Sequence, residues 1–131
     1  VLSWFLPFSE WSENEVMRIL SPDGRLEAVL TQSNAGATTS FKYRIYITIP
    51  GTDFRGQESL FVGDKLRNKS NHDLPLIHWN ESHELLISYD SAQVYQFKNF
   101  WRSRQVDNGM FVVRVSLIET GGLIKLQEGR S

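Results

Sequence analysis

Three histidines, His72, His78 and His83, are the residues best suited to chemistry by type, and they lie six and five positions apart. With Asp73 and Glu84 beside two of them they make a metal site on paper, since zinc accepts imidazole and carboxylate ligands that converge on one point. The spacing does not supply that convergence. A strand over residues 75–79 would put His78 on one face with Leu76 and leave His72 and His83 in flanking turns. The plainer expectation is three separate surface or turn histidines, with no metal and no cofactor.

Nucleophilic and acid–base chemistry have as little support. No serine sits in a Gly-x-Ser-x-Gly elbow or in a recognisable Ser/His/Asp context. The carboxylates Glu10, Glu13, Glu15, Asp23, Glu27, Asp53, Glu58 and Asp64 are scattered through turns and exposed strand faces, so none forms an evident pair for glycoside cleavage. Gly36 has neither a glycine-rich phosphate fingerprint around it nor a helix after it. No catalytic residue is assigned. A hydrolase would need groups such as His83, Glu84 and Asp90 to meet in one cleft.

Two groups of residues suit binding better. The segment from Ser33 to Ser40 has no bulky side chain and no charge, so burial cannot anchor it. Asn34 and Gly36 tolerate left-handed backbone, and Thr38, Thr39 and Ser40 offer hydroxyls to a partner backbone or a glycan. The same hydroxyls would equally satisfy their own loop. The second group is Tyr95, Phe97, Phe100, Trp101, Arg102 and Arg104. A tryptophan beside arginines is common where interfaces concentrate their energy, although Phe97 and Trp101 would also plug the bottom of a sheet with Arg102 reaching outward. The candidate binding residues are therefore Asn34, Gly36, Thr38, Thr39, Trp101 and Arg102.

Strands must position these groups, because period-two alternation dominates the chain. Residues 41–49 place Phe41, Tyr43, Ile45, Ile47 and Ile49 on one face, until Pro50-Gly51 stops the run. Residues 111–118 alternate likewise, and Gly121-Gly122 turns them toward a short last strand at 123–127. Further strands are expected at 16–20, 26–32, 59–62, 85–89 and 93–97, with loops at 63–73 and 100–109. The segment 63–73 carries Lys65, Arg67, Asn68, Lys69 and Asn71, and reads as a solvated charged loop. The one helical hint is Ser12 with Glu15, a capping-box pattern for a turn or two over 9–16. Pro22-Asp23-Gly24 and Asn80-Glu81-Ser82-His83 echo one another as polar turns, although their separation is too long for a propeller-blade repeat of about 40–50 residues. The expected fold is mainly β: a single antiparallel sheet or a small β-sandwich, with at most one short helix.

Composition sets the outer limits. A chain of 131 residues is one domain by length and large enough to bury a core without staples. Lys and Arg number 14 against 15 acidic residues, so the chain has no basic footprint for nucleic acid. Cysteine is absent, which excludes disulfides, thiol catalysis and cysteine-bound zinc, and suits an oxidising compartment. Residues 1–12 open with the apolar, aromatic stretch Val1 to Phe8, too short to span a bilayer. It reads as a packing arm or as the remnant of a membrane or signal segment.

Several of these motifs occur together elsewhere. Ser21-Pro22-Asp23-Gly24-Arg25, the following Ala28-Val29, the loop Asn34-Ala35-Gly36-Ala37-Thr38-Thr39 and Arg44-Ile45-Tyr46-Ile47 resemble a group of small uncharacterised bacterial envelope proteins. Leu60-Phe61-Val62, Trp79, residues 85–89 and Phe97 to Trp101 are similar to the later strands of that group. Some of its members carry a cysteine before the loop glycine, where this chain has Ala35. The resemblance implies a periplasmic or outward-facing, membrane-anchored setting and transfers no activity. The sequence thus leads to a non-catalytic extracytoplasmic binding domain for a protein or cell-envelope component, with no nucleic-acid partner. A hydrolase and an oligomeric assembly subunit are the alternatives.

Overall fold

Burial alternates residue by residue along Glu84–Tyr89, where Leu85, Ile87 and Tyr89 point inward. The computed structural model describes residues 13–34 and 40–121. The expected last strand at 123–127 and the arm at 1–12 lie outside them.

The described chain forms nine strands: β1 (Glu13–Leu20), β2 (Glu27–Ser33), β3 (Lys42–Thr48), β4 (Phe61–Arg67), β5 (Leu76–Glu81), β6 (Glu84–Tyr89), β7 (Ser91–Phe97), β8 (Phe100–Trp101) and β9 (Val113–Glu119). They build a five-stranded sheet ordered β1-β2-β3-β4-β7 and a four-stranded sheet ordered β5-β6-β9-β8. The protein is mainly β, and the inward faces of both sheets share one core. Leu26, Leu30, Ile45, Ile47, Leu60 and Phe61 come from the first side, and Ile77, Trp79, Leu85, Ile87, Val113 and Val115 from the second. Burying two such faces against each other is the main favourable term of a sandwich. All pairs are antiparallel except β6 with β9, which run parallel.

At one end, the echoing turns meet across the two sheets. The Asp23 N–H donates to Ser82 Oγ at 3.1 Å, and Trp79 Nε1 donates to the Ile19 carbonyl at 2.9 Å. Phe111 is held there between the Arg25 guanidinium, 4.5 Å from its ring centre, and the stacked His83 ring at 4.1 Å.

Three local expectations change. Residues 13–16 belong to β1, so the capping-box pattern does not make a helix there. The pairing of Glu13 with Ser33 and Asn14 with Gln32 outweighs a weak local preference. Residues 63–67 complete β4 rather than opening a loop. Gly63 faces inward against the Phe61 ring and Leu66 enters the core, while a register shift at Lys65 breaks the alternation that would have shown it. Residues 100–109 hold the two-residue β8 and a 3-10 turn at Asp107–Gly109.

β3 also departs from a one-faced strand, since Tyr46 and Thr48 on its outer face are as buried as Ile45 and Ile47. The segment after β3 folds back over them. Phe54 packs on Tyr46 with ring centres 5.3 Å apart, and Arg18 donates to the Thr52 carbonyl at 2.9 Å while pairing with Glu15 and Glu27. Tyr46 and Thr31 both donate to Glu13 Oε2, tying β1 to this layer.

Every edge of the two sheets is short or kinked. Register shifts interrupt β1 between Glu15 and Met17, β5 between Trp79 and Glu81, and the β4–β7 pair between Val62 and Gly63, while β8 has two residues.

Thr48 Oγ1 is buried without a hydrogen-bond partner among the described residues. A buried, unpaired hydroxyl costs stability that an isosteric methyl does not. Thr48→Val is therefore expected to raise the unfolding free energy by about 1 kcal/mol, read from urea denaturation midpoints. A loss of stability of similar size would show that the hydroxyl is satisfied.

Candidate functional site

The strand registers give the sandwich two distinct ends. Ser33 pairs with Lys42 and Arg67 with Ser91 at one, whereas Glu27 pairs with Thr48 and Phe61 with Phe97 toward the other. The first end carries the segment that joins β2 to β3, and at its foot lies an open cleft of about 540 Å³. That volume falls in the range common for small-ligand sites, roughly 300–1,000 Å³.

Each wall has a structural origin. Gln32 and Tyr43 project from the paired ends of β2 and β3, and Ser40 and Phe41 lead into β3. Lys65, Leu66 and Arg67 come from the irregular end of β4, and His72, Asp73 and Leu74 from the turn that follows it. That turn is organised by Asn68, which is only 3% exposed. Its Nδ2 donates to the Leu74 carbonyl at 2.8 Å, and its Oδ1 accepts from Ser70 N and Ser70 Oγ. The sequon Asn68-Lys69-Ser70 is thus an internal brace whose amide is already used.

Asp90 clamps the same end. Its N–H donates to the Arg67 carbonyl and its own carbonyl accepts from Gly121 N, both at 2.9 Å. Its carboxylate accepts from Lys69 N at 3.0 Å and from Thr120 Oγ1 at 2.7 Å. These donors, the Lys69 N–H foremost, hold the Asp90 carboxyl below its usual range.

The cleft backbone is unusual. Lys65, His72 and Asp73 have φ of 52°, 55° and 61°, and they are three of the five non-glycine residues with positive φ among those described. Each such residue costs of order 1–3 kcal/mol, and the strain persists only where the surroundings impose it. The charged groups at the cleft are Lys65 and Arg67, with His72 beside them, and one acid, Asp73. Lys65, Arg67 and His72 form no ion pair among the described residues, and the Asp73 carboxylate is occupied by the Asn68 N–H at 2.9 Å. Tyr43 is 7% exposed, and burial raises its hydroxyl above the ordinary tyrosine value, so it remains a protonated donor at neutral pH. Phe41 stands 44% exposed at the rim.

The predicted binding residues divide between the two ends. Asn34 is exposed just beyond β2, beside the cleft, and Gly36, Thr38 and Thr39 lie outside the described residues. Trp101 sits in β8 opposite Val113 at the other end, half-buried against the core, with Arg102 exposed after it. Among the described residues, Asn34 and Trp101 thus stand at opposite ends of the sandwich.

The three histidines do not converge: His72 is at the cleft, His78 is exposed on β5, and His83 is stacked on Phe111. No group of three or more potential metal ligands forms among the described residues. His83 and Asp90 flank β6 at opposite ends, roughly 20 Å apart at the rise of a strand. Sequence reasoning passed over Lys65, Arg67 and His72 as a solvated loop. The available signal was their density, with Lys65, Arg67, Lys69 and His72 preceding the next acid at Asp73.

No family model, curated protein or solved structure matches the chain.

Asp90→Asn tests the clamp. A carboxylate whose folded pKa is depressed contributes stability above its unfolded pKa and loses it as pH falls through the folded value. The wild type is therefore expected to be more stable than Asp90→Asn at pH 7, with the difference closing below about pH 4, in denaturation midpoints measured across pH. A difference that stays constant down to pH 2 would contradict the assignment.

Proposed function

We propose that this protein is a non-catalytic binding domain that recognises a protein or cell-envelope component through the cleft end of its sandwich. The observation that carries the reading is the concentration of left-handed non-glycine backbone at Lys65, His72 and Asp73 around a polar cleft. All three side chains are exposed, so they are free to meet a partner. Strain retained at an open concavity fits a site in which side chains are held ready for a partner. Asn34, exposed just beyond β2, and Ser40, on the cleft wall, bring the two described ends of the uncharged segment to the same place.

The proposed setting is bacterial and extracytoplasmic, periplasmic or outward-facing on a membrane anchor. It rests on the apolar Val1 to Phe8 stretch, the lack of cysteine and the resemblance to small envelope proteins. No helix among the described residues is long and apolar enough to cross a membrane. The reading assigns membrane association to the apolar N-terminal stretch.

Phe41→Ala removes an exposed ring at the cleft and Arg102→Ala removes an exposed cation at the opposite end. Both are expected to keep the wild-type melting temperature to within about 2 °C, since surface changes of this kind stay near 0.5 kcal/mol. Sedimentation with bacterial envelope fractions is expected to fall several-fold for Phe41→Ala and to stay unchanged for Arg102→Ala. The reverse pattern would move the site to the Trp101 end, and unchanged binding by both would remove the proposal.

A further inference from the structure

The ion pairs among the described residues lie away from the cleft. Arg18, Arg25, Arg55, Lys98 and Arg114 each pair with a carboxylate at 2.7 to 3.5 Å. At the cleft, Lys65 and His72 have no hydrogen-bond partner among the described residues, and Arg67 reaches only the Leu66 carbonyl at 3.3 Å. Lys42, Arg44 and Lys69 stand at the same end, again without an ion pair among the described residues. Among the described residues, Lys65 and Arg67 against the one acid Asp73 leave the lining of this cleft with a small local excess of positive charge, in a chain of net charge −1. A low-dielectric concavity focuses the field of such an excess on small anions.

The neutral groups narrow the ligand class. Tyr43 is more than nine-tenths buried yet lines the cleft, and among the described residues its hydroxyl oxygen meets only a long contact of 3.4 Å from Gln32 Nε2. Gln32 and Ser40 add amide and hydroxyl groups on the same wall. These are partners for a ligand rich in hydroxyls. Phe41 adds an exposed aromatic face, which suits the carbon–hydrogen face of a sugar ring. A bare inorganic anion would use neither feature. An extended peptide would be expected at an open sheet edge, where its main chain finds partners, and not in a pit lined by side chains.

We propose that the cleft binds an acidic saccharide, with its carboxylate on Lys65, Arg67 and His72, its hydroxyls on Tyr43 and Gln32, and a ring on Phe41. This rests on the reading of the protein as a binding domain and names the ligand class for that same site.

The test is an amide chemical-shift titration of the isotope-labelled full chain with uronic-acid trimers, of galacturonate and of mannuronate, and with a neutral glucose trimer. At least one uronate trimer is expected to shift the amides of Phe41, Lys65, Arg67 and His72. The neutral trimer should bind at least about tenfold more weakly, and 0.5 M salt should weaken the uronate response. Lys65→Ala/Arg67→Ala, at two exposed positions, should lower uronate affinity about tenfold at unchanged melting temperature.

Equal binding of the neutral trimer would overturn the acidic class while leaving the cleft a saccharide site. Tighter binding of hexaglutamate at the same amides would assign the cleft to acidic peptides. Shifts elsewhere, or none at millimolar trimer, would overturn the inference, and the envelope sedimentation of Phe41→Ala would still judge the binding reading separately.

Discussion

A chain that builds two facing sheets must leave one and enter the other, and each passage takes backbone groups out of a ladder. The step from β6 to β7 passes through Asp90, whose peptide and carboxylate groups together take four hydrogen bonds. They secure the exit of β4, the start of the turn at 69–71 and the exit of β9. The geometry there is tight. A side-chain carbon on Gly121 would stand 2.3 Å from the Asp90 carbonyl, so only glycine lets the chain after β9 approach so closely. The walls of the cleft hang from this one crossing.

The cleft is the counterpart of that rigidity. Asn68, fully engaged beneath the turn, and Asp90, beside it, fix the backbone at both ends of a short segment. Within it His72 and Asp73 take left-handed conformations, while Lys65 takes one at the register shift that precedes it. Their side chains are left outside while the backbone is held, which places polar and charged groups around a concavity. At the opposite end the chain does otherwise. Arg25 and His83 are drawn onto the Phe111 ring and Arg25 also meets Asp107, so cation and aromatic serve packing there.

Alternation made most of the architecture legible. The runs ending at Ile49 and beginning at Phe111, and the segments around Leu85 and Gln93, all form strands close to their expected bounds. Legibility failed where the period broke. Gly63, Asp64 and Lys65 interrupt β4 with a small residue and two charges, so a strand with Phe61 and Leu66 in the core resembles a loop. Tyr46 and Thr48 resemble a solvent face because the layer that covers them, centred on Phe54, comes from a segment with no periodicity of its own. The parallel pairing of β6 with β9 depends on which sheet each strand joins, and local pattern carries no such information. The cleft was hidden for the same reason: Tyr43, Lys65 and His72 are brought together by sheet order and turn geometry, at separations no spacing motif spans.

The interrupted borders of both sheets have a consequence for a molecule crowded among its own copies. Unpaired strand margins invite other chains to zip on, and a straight, uncharged margin such as β7 would invite this most. The offset opposite Val62 and Gly63 bends that margin, and comparable kinks or extreme shortness mark the other three. A neighbour would have to iron out a kink before it could add even a few rungs. Among the described residues, protection against edge-to-edge pairing is thus written into the outline of the sandwich.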